Sequence, residues 1–123
     1  MSPIDYDSRT FRLVSNSGTG ETGTQTIFHY RQKGRVVWGT YRGGNIVLGT
    51  LLAKVGRAGR LDMTYQHLNK NGDFMSGRCV TRLEVLPDGR YRLHERWRWT
   101  TGDQSSGASI AEEIARRKLS RAG

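Results

Sequence analysis

Cysteine is almost missing from this chain. Cys79 is the only one in 123 residues, so no internal disulfide can form, and no apolar run follows an N-terminal basic patch as a secretory signal requires. Both absences point to a reducing cytoplasm. No stretch approaches the roughly 20 apolar residues of a membrane-spanning helix, so a soluble protein with no membrane partner is expected. Catalytic signatures are also lacking. There is no Gly-x-Ser-x-Gly elbow, no phosphate loop ending in Gly-Lys-Ser/Thr, and no Gly-x-Gly-x-x-Gly between a strand and a helix. Gly18-Thr19-Gly20 and Gly43-Gly44 are present, but with no helix after them to present backbone amides they read as loops.

Acidic residues are scarce as well. Eleven Asp and Glu face twenty Lys and Arg, for a formal charge of +9. Arg116, Arg117, Lys118 and Arg121 belong to a short basic C-terminal tail, and residues 1–114 hold sixteen bases against the eleven acids. Much of the excess is therefore a property of the tail, and the remainder reads first as a solvated basic surface, with nucleic acid as the alternative partner.

What the chain does have is alternation. In Arg90-Tyr91-Arg92-Leu93-His94-Glu95-Arg96-Trp97-Arg98-Trp99-Thr100, successive side chains of a strand point to opposite faces. Tyr91, Leu93, Glu95, Trp97 and Trp99 therefore form one row, and the arginines and His94 the other. Short β-rich runs separated by glycine turns continue this pattern along the chain. The spacing predicts strands near 9–14, 24–31, 35–42, 46–55, 60–68, 74–83 and 90–100.

An eighth element over 108–114 has two readings. Ser109 and Glu112 match a helix capping box, and Ile110 and Ile114 share a helical face. A strand there would pair with the first and seventh strands and remove two open edges, and the strand is the favoured reading. The expected fold is thus all-β, a single-domain antiparallel up-and-down barrel of about eight strands. It spans residues 8–114, between a loose lead-in over 1–7 and a basic tail over 115–123. At this length one domain can bury a core without staples.

The inward parity of each strand defines a candidate interior. The fifth strand contributes Leu61, Met63, Tyr65 and His67; the second, Phe28 and Tyr30; the sixth, Met75, Gly77, Cys79 and Leu83. The third is ambiguous, because Val36 and Trp38 compete with Val37 and Tyr41. Cys79 then reads as a small buried hydrophobe. Glu95 is the anomaly, since a carboxylate in an apolar row must be paired, protonated or wet.

Three histidines invite a metal site, but parity sends His67 inward and His29 and His94 outward, so they cannot converge. His67 alone is the residue type that ligates haem in a barrel, although a lone histidine on an apolar face is more often a hydrogen-bonded core residue. Glu112 and Glu113 are adjacent and point opposite ways on a strand, so they form no acid/base dyad. No cofactor or oligomeric state is specified.

Several segments resemble a group of small uncharacterised bacterial proteins that often carry the label N-acetylglutamate synthase. These are Phe11-Arg12-x-Val14-Ser15-Asn16-Ser17, Ile27-Phe28-His29-Tyr30, Tyr41-Arg42-Gly43-Gly44, Leu61-Asp62-Met63-x-Tyr65, and Leu93-His94-Glu95-x-Trp97-x-Trp99-Thr100-x-Gly102-Asp103. That label implies acetyl-CoA bound at a Gln/Arg-x-x-Gly-x-Gly/Ala turn leading into a helix. The nearest match, Arg31-Gln32-Lys33-Gly34-Arg35-Val36, departs from the pattern at its last position and enters a strand. In architecture the pattern is similar to the calycin-like group of lipocalins, fatty-acid-binding proteins and avidin, small barrels that hold apolar ligands.

The expected function is accordingly non-enzymatic binding of a small amphipathic or apolar molecule in the lumen. Tyr91, Leu93, Trp97 and Trp99 would form its wall, and Tyr65, His67 and Glu95 its polar groups, with Trp38 added if its parity is inward. The alternatives are a small enzyme using Glu95 or His67 as acid/base, and an anionic-polymer binder using Arg92, Arg96, Arg98 and the tail.

Overall fold

The computed structural model describes residues 4–17 and 22–114, so the proposed tail lies outside the described residues. Eight strands follow in chain order: β1 (Arg9–Asn16), β2 (Ile27–Lys33), β3 (Val36–Gly43), β4 (Ile46–Val55), β5 (Leu61–Asn69), β6 (Phe74–Val85), β7 (Tyr91–Trp99) and β8 (Ser106–Glu113). Each pairs antiparallel with its neighbours, and β8 returns to β1 to close the barrel. The capping-box reading of 108–114 gives way to the strand. There Ser109, Ala111 and Glu113 face inward, Ser109 opposite Glu95 and Ala111 opposite Leu93, so the segment satisfies two edges at once.

Turn chemistry follows the punctuation. Gly43 and Gly44 both take positive φ, 115° and 64°, at a register shift between β3 and β4. A side chain at Gly43 would also strike the Gln25 carbonyl oxygen. Pro87 and Gly89 occupy the second and last positions of a turn whose Gly89 N–H donates to the Leu86 carbonyl at 2.9 Å. At Asn71-Gly72 the sequence suggests a tight hairpin, but the loop is wider. Asn69 Oδ1 accepts from the Asn71 and Asp73 amides at 3.0 Å each, a side-chain turn that competes with the two-residue one.

The β3 ambiguity resolves in favour of Val37, Gly39 and Tyr41 as the inward row. Trp38 lies outside, 40% exposed and opposite Leu52. Glycine at position 39 hides the true parity, and in its absence the two bulkier outward residues, Val36 and Trp38, look like the core.

Within the expected lead-in, Ile4 and Tyr6 pack against the barrel while Asp5 stays exposed. Tyr6 is fully buried. Its hydroxyl donates to the Gly59 carbonyl at 2.5 Å, its amide donates to Gln32 Oε1 at 2.8 Å, and its ring meets Tyr91 edge-on at 5.4 Å. A single aromatic residue has no period to reveal it. It stoppers one end of the barrel together with Ile4, Leu61, Leu83 and Leu93.

Glu113, 1% exposed, completes that end. Its Oε1 accepts from Arg9 Nη1 at 2.7 Å and from the Tyr91 amide at 3.0 Å, while Arg9 stacks 3.7 Å over the Tyr91 ring. A buried carboxylate is tolerable here because a cation and a backbone donor meet it.

Candidate functional site

The opposite end of the barrel holds the cavity. Most inward strand positions there are aromatic, small or polar, with Leu51 and Met63 as aliphatic ones. Six aromatic residues supply the wall, Phe28 and Tyr30 from β2, Tyr41 from β3, Tyr65 from β5, and Trp97 and Trp99 from β7. Tyr65 and Trp99 meet edge-on at 5.4 Å, Trp97 and Trp99 lie 6.1 Å apart, and Phe28 stacks on Tyr41 at 5.1 Å.

Three of these rings are seated by glycine. Tyr41 lies opposite Gly49, Tyr65 opposite Gly77 and Trp97 opposite Gly107. A Cβ at Gly77 would lie 2.5 Å from Tyr65 Oη, and one at Gly107 would lie 2.5 Å from Trp97 Cζ2. Each ring folds flat over a bare backbone instead of filling the lumen, a packing device that glycine in a strand permits. The space left is about 50 Å³, which holds on the order of four non-hydrogen atoms. The lumen is thus mostly filled by its own side chains, with a crevice near the β7 tryptophans.

Among the described residues, Glu95 is the only Asp, Glu, Lys, Arg or His lining that crevice. Its Oε1 accepts from the Ser109 hydroxyl at 2.7 Å, and its other oxygen has no protein donor among the described residues. Burial pushes its carboxyl up to about 7, opposed only by the Ser109 hydrogen bond. Burial likewise raises the Tyr30 and Tyr65 phenols and the Cys79 thiol, with the Glu95 charge adding to each shift. All three are neutral at physiological pH. Cys79 also contacts Thr81 Oγ1 at 3.5 Å and accepts from the Arg96 backbone, as a buried hydrophobe with weak polar contacts.

Of the residues singled out from sequence, Tyr65, Glu95, Trp97 and Trp99 come together around the crevice. His67 stands behind them, 2% exposed, with Nδ1 2.9 Å from the Tyr41 hydroxyl and its ring edge-on to Trp99. Tyr91 and Leu93 do not line the crevice. They share its strand face, but farther along β7 they are packed at the stoppered end with Tyr6.

Ser109 and Tyr41 are site residues that sequence reasoning did not select. Continuing the inward parity of β7 across to β8 would have found Ser109 opposite Glu95. Tyr41 was hidden by the same competition that obscured β3.

His29 and His94 point outward, to Thr10 at 3.2 Å and to Glu84 at 2.8 Å. Among the described residues no three His, Cys, Asp or Glu gather as metal ligands, and no helix is long and apolar enough to cross a membrane.

On the outer wall, Arg57, Arg60, Arg82 and Arg96 border a groove of about 1070 Å³. Arg92, expected to join such a basic face, is tied to Glu112 at 2.7 Å and to Glu84 at 3.5 Å.

Residues 4–114 match the family model described as avidin-like protein. No curated protein and no solved structure matches the chain.

Proposed function

Because the chain belongs to the avidin-like protein family, we propose that it is a non-catalytic binding barrel that takes a small amphipathic molecule into the crevice between Trp97, Trp99, Tyr65 and Glu95. One observation carries this reading: a half-buried carboxylate with an oxygen that meets no protein donor among the described residues, set in a mostly apolar and aromatic lumen. Such a group is costly to hold unless something meets it, and few polar groups in an apolar wall are the usual make-up of a ligand site. The crevice admits a compact molecule or the tip of a longer one. For four or five non-hydrogen atoms the ceiling of about 1.5 kcal/mol per atom allows a Kd no tighter than roughly 3–40 µM.

The test uses the tryptophans as reporters. Trp38→Phe removes the outward indole and leaves the two in the crevice. Titration with compact neutral, cationic and anionic compounds, followed by indole NMR signals and fluorescence, is expected to move Trp97 and Trp99 saturably. No response from either indole to any compound overturns the proposal.

A second reading has its own support in the outer groove. Arg57, Arg60, Arg82 and Arg96 have no acidic partner among the described residues, and four free guanidinium groups bordering one depression suit an anionic polymer.

A further inference from the structure

We propose that the ligand of the crevice is a small organic cation, an alkylammonium or guanidinium group of about four or five non-hydrogen atoms, held against the free oxygen of Glu95 and faced by the rings of Trp97, Trp99, Tyr65 and Tyr30. This rests on the lumen-binding reading above and states the chemistry that the lumen selects.

Charge decides first. Every ionisable base on the barrel lies outside the lining of the crevice, whereas Glu95 lies within it. The groups that face Glu95 are Ser109 on β8, Thr81 opposite it on β6, Cys79 farther along β6, Tyr65 on β5 and Tyr30 on β2. None of these carries a positive charge, so the field inside the crevice has one sign. An anion there would stand beside another carboxyl in a medium that screens poorly, while a cation gains from the same weak screening.

The wall acts in the same sense. Aromatic faces present negative charge density to a cation, and a box of Trp and Tyr faces around one acidic group is the arrangement that recognises ammonium groups without a large hydrogen-bond inventory. Size gives the third constraint. Gly49, Gly77 and Gly107 let three rings lie back just far enough to leave about 50 Å³, which suits a head group rather than a fused ring system. Finally, Ser109 holds one Glu95 oxygen at 2.7 Å and turns the carboxyl into a fixed acceptor. The second oxygen meets no protein N–H or O–H among the described residues, so a ligand donor or cation has a position waiting.

Binding of a permanent cation and ionisation of Glu95 must then be linked, because only the carboxylate form attracts it. With the carboxyl titrating near 7, affinity rises with pH from about 5 and levels off above about 8.

Tetramethylammonium, tert-butanol and acetate, which are close in size and differ in charge, separate the outcomes when titrated into the full chain under indole NMR. Tetramethylammonium is expected to bind roughly tenfold more tightly at pH 8 than at pH 6, following the ionised fraction of one carboxyl. Acetate should not move the Trp97 and Trp99 signals. Glu95→Gln should abolish the tetramethylammonium response and its pH dependence while keeping the weaker tert-butanol response, which also proves the variant folded. Equal affinity for tert-butanol and tetramethylammonium, tighter binding of acetate, or a Glu95→Gln protein that still binds the cation overturns this inference and leaves the lumen-binding reading standing. Silence of both indoles toward all three overturns the two together.

Discussion

Glu95 keeps its proton into the neutral range because burial penalises the charged form more than Ser109 compensates it. The same shift makes stability depend on pH. A carboxyl raised from about 4.5 to about 7 on folding contributes fully below pH 4.5 and loses that contribution as pH rises toward 7. One pKa unit is about 1.4 kcal/mol, so the loss for this partly wetted group is at most about 3 kcal/mol. Exposed carboxylates work in the other direction. Hydrogen bonds to the Gln32 amide and Arg31 lower Asp7, and the His94 hydrogen bond lowers Glu84, so both contribute above their unfolded pKa values and fail on acidification. Comparing the protein with Glu95→Gln cancels these common effects. Urea unfolding at pH 5 and pH 8 should show the Gln variant gaining relative stability with pH, and parallel curves would contradict the burial of Glu95. The anomaly of this residue is plain in the sequence, since a carboxylate interrupts an apolar row. Its partner is not, because Ser109 sits in a segment whose spacing also fits a helix cap.

The strands owe their legibility to how cleanly their residues alternate. β7 reads correctly because four large apolar residues share one parity and five basic residues frame them. β3 fails the same reading because glycine occupies an inward position while tryptophan occupies an outward one, and local hydrophobicity cannot rank a missing side chain. β8 becomes a strand through pairing with β7, whose partners lie 8–20 residues away, and with β1, whose partners lie 93–102 residues away and outside any local window. The facing of ring and glycine across strands is equally non-local, and it sets a sharp prediction. Gly77→Ala places a methyl 2.5 Å from Tyr65 Oη and 2.7 Å from the Arg98 carbonyl, and Gly107→Ala places one 2.5 Å from Trp97 Cζ2 and 2.8 Å from the Ser17 carbonyl. Each should destabilise by about 1–3 kcal/mol, as overpacking does, and perturb ligand response at the crevice. Gly72→Ala meets no atom within 4 Å and separates crowding from backbone cost, because its φ of 85° is strained by any side chain. Thermal or chemical unfolding with unchanged indole signals in Gly77→Ala would refute the seating of Tyr65.

At the scale of the whole molecule, charge is sorted by side. Among the described residues the crevice is lined by one acid, Glu95, and the outer groove is bordered by four arginines, an outcome of strand alternation. The two proposed binding modes therefore answer differently to salt. Nucleic-acid binding at the outer groove should weaken as salt rises, with a logarithmic slope of about −3 for four phosphate contacts on a single strand, and Arg82→Glu with Arg96→Glu should flatten that slope. Those two changes should leave the crevice response intact, and fluorescence polarisation of a labelled oligonucleotide beside indole NMR reads both. A salt-independent affinity would remove the outer groove from consideration. The stopper formed by Tyr6 and Glu113 is the part least legible from sequence, since it depends on a short segment crossing a barrel that must first exist.

The three cross-strand partnerships of Tyr41 with Gly49, Tyr65 with Gly77 and Trp97 with Gly107 carry a consequence for descent. A mutation that enlarges the glycine evicts the ring, and one that shrinks the ring leaves a hollow, so drift at either position is tolerated only when its mate drifts too. Cousins of this chain that host a different guest should show these six sites changing two by two.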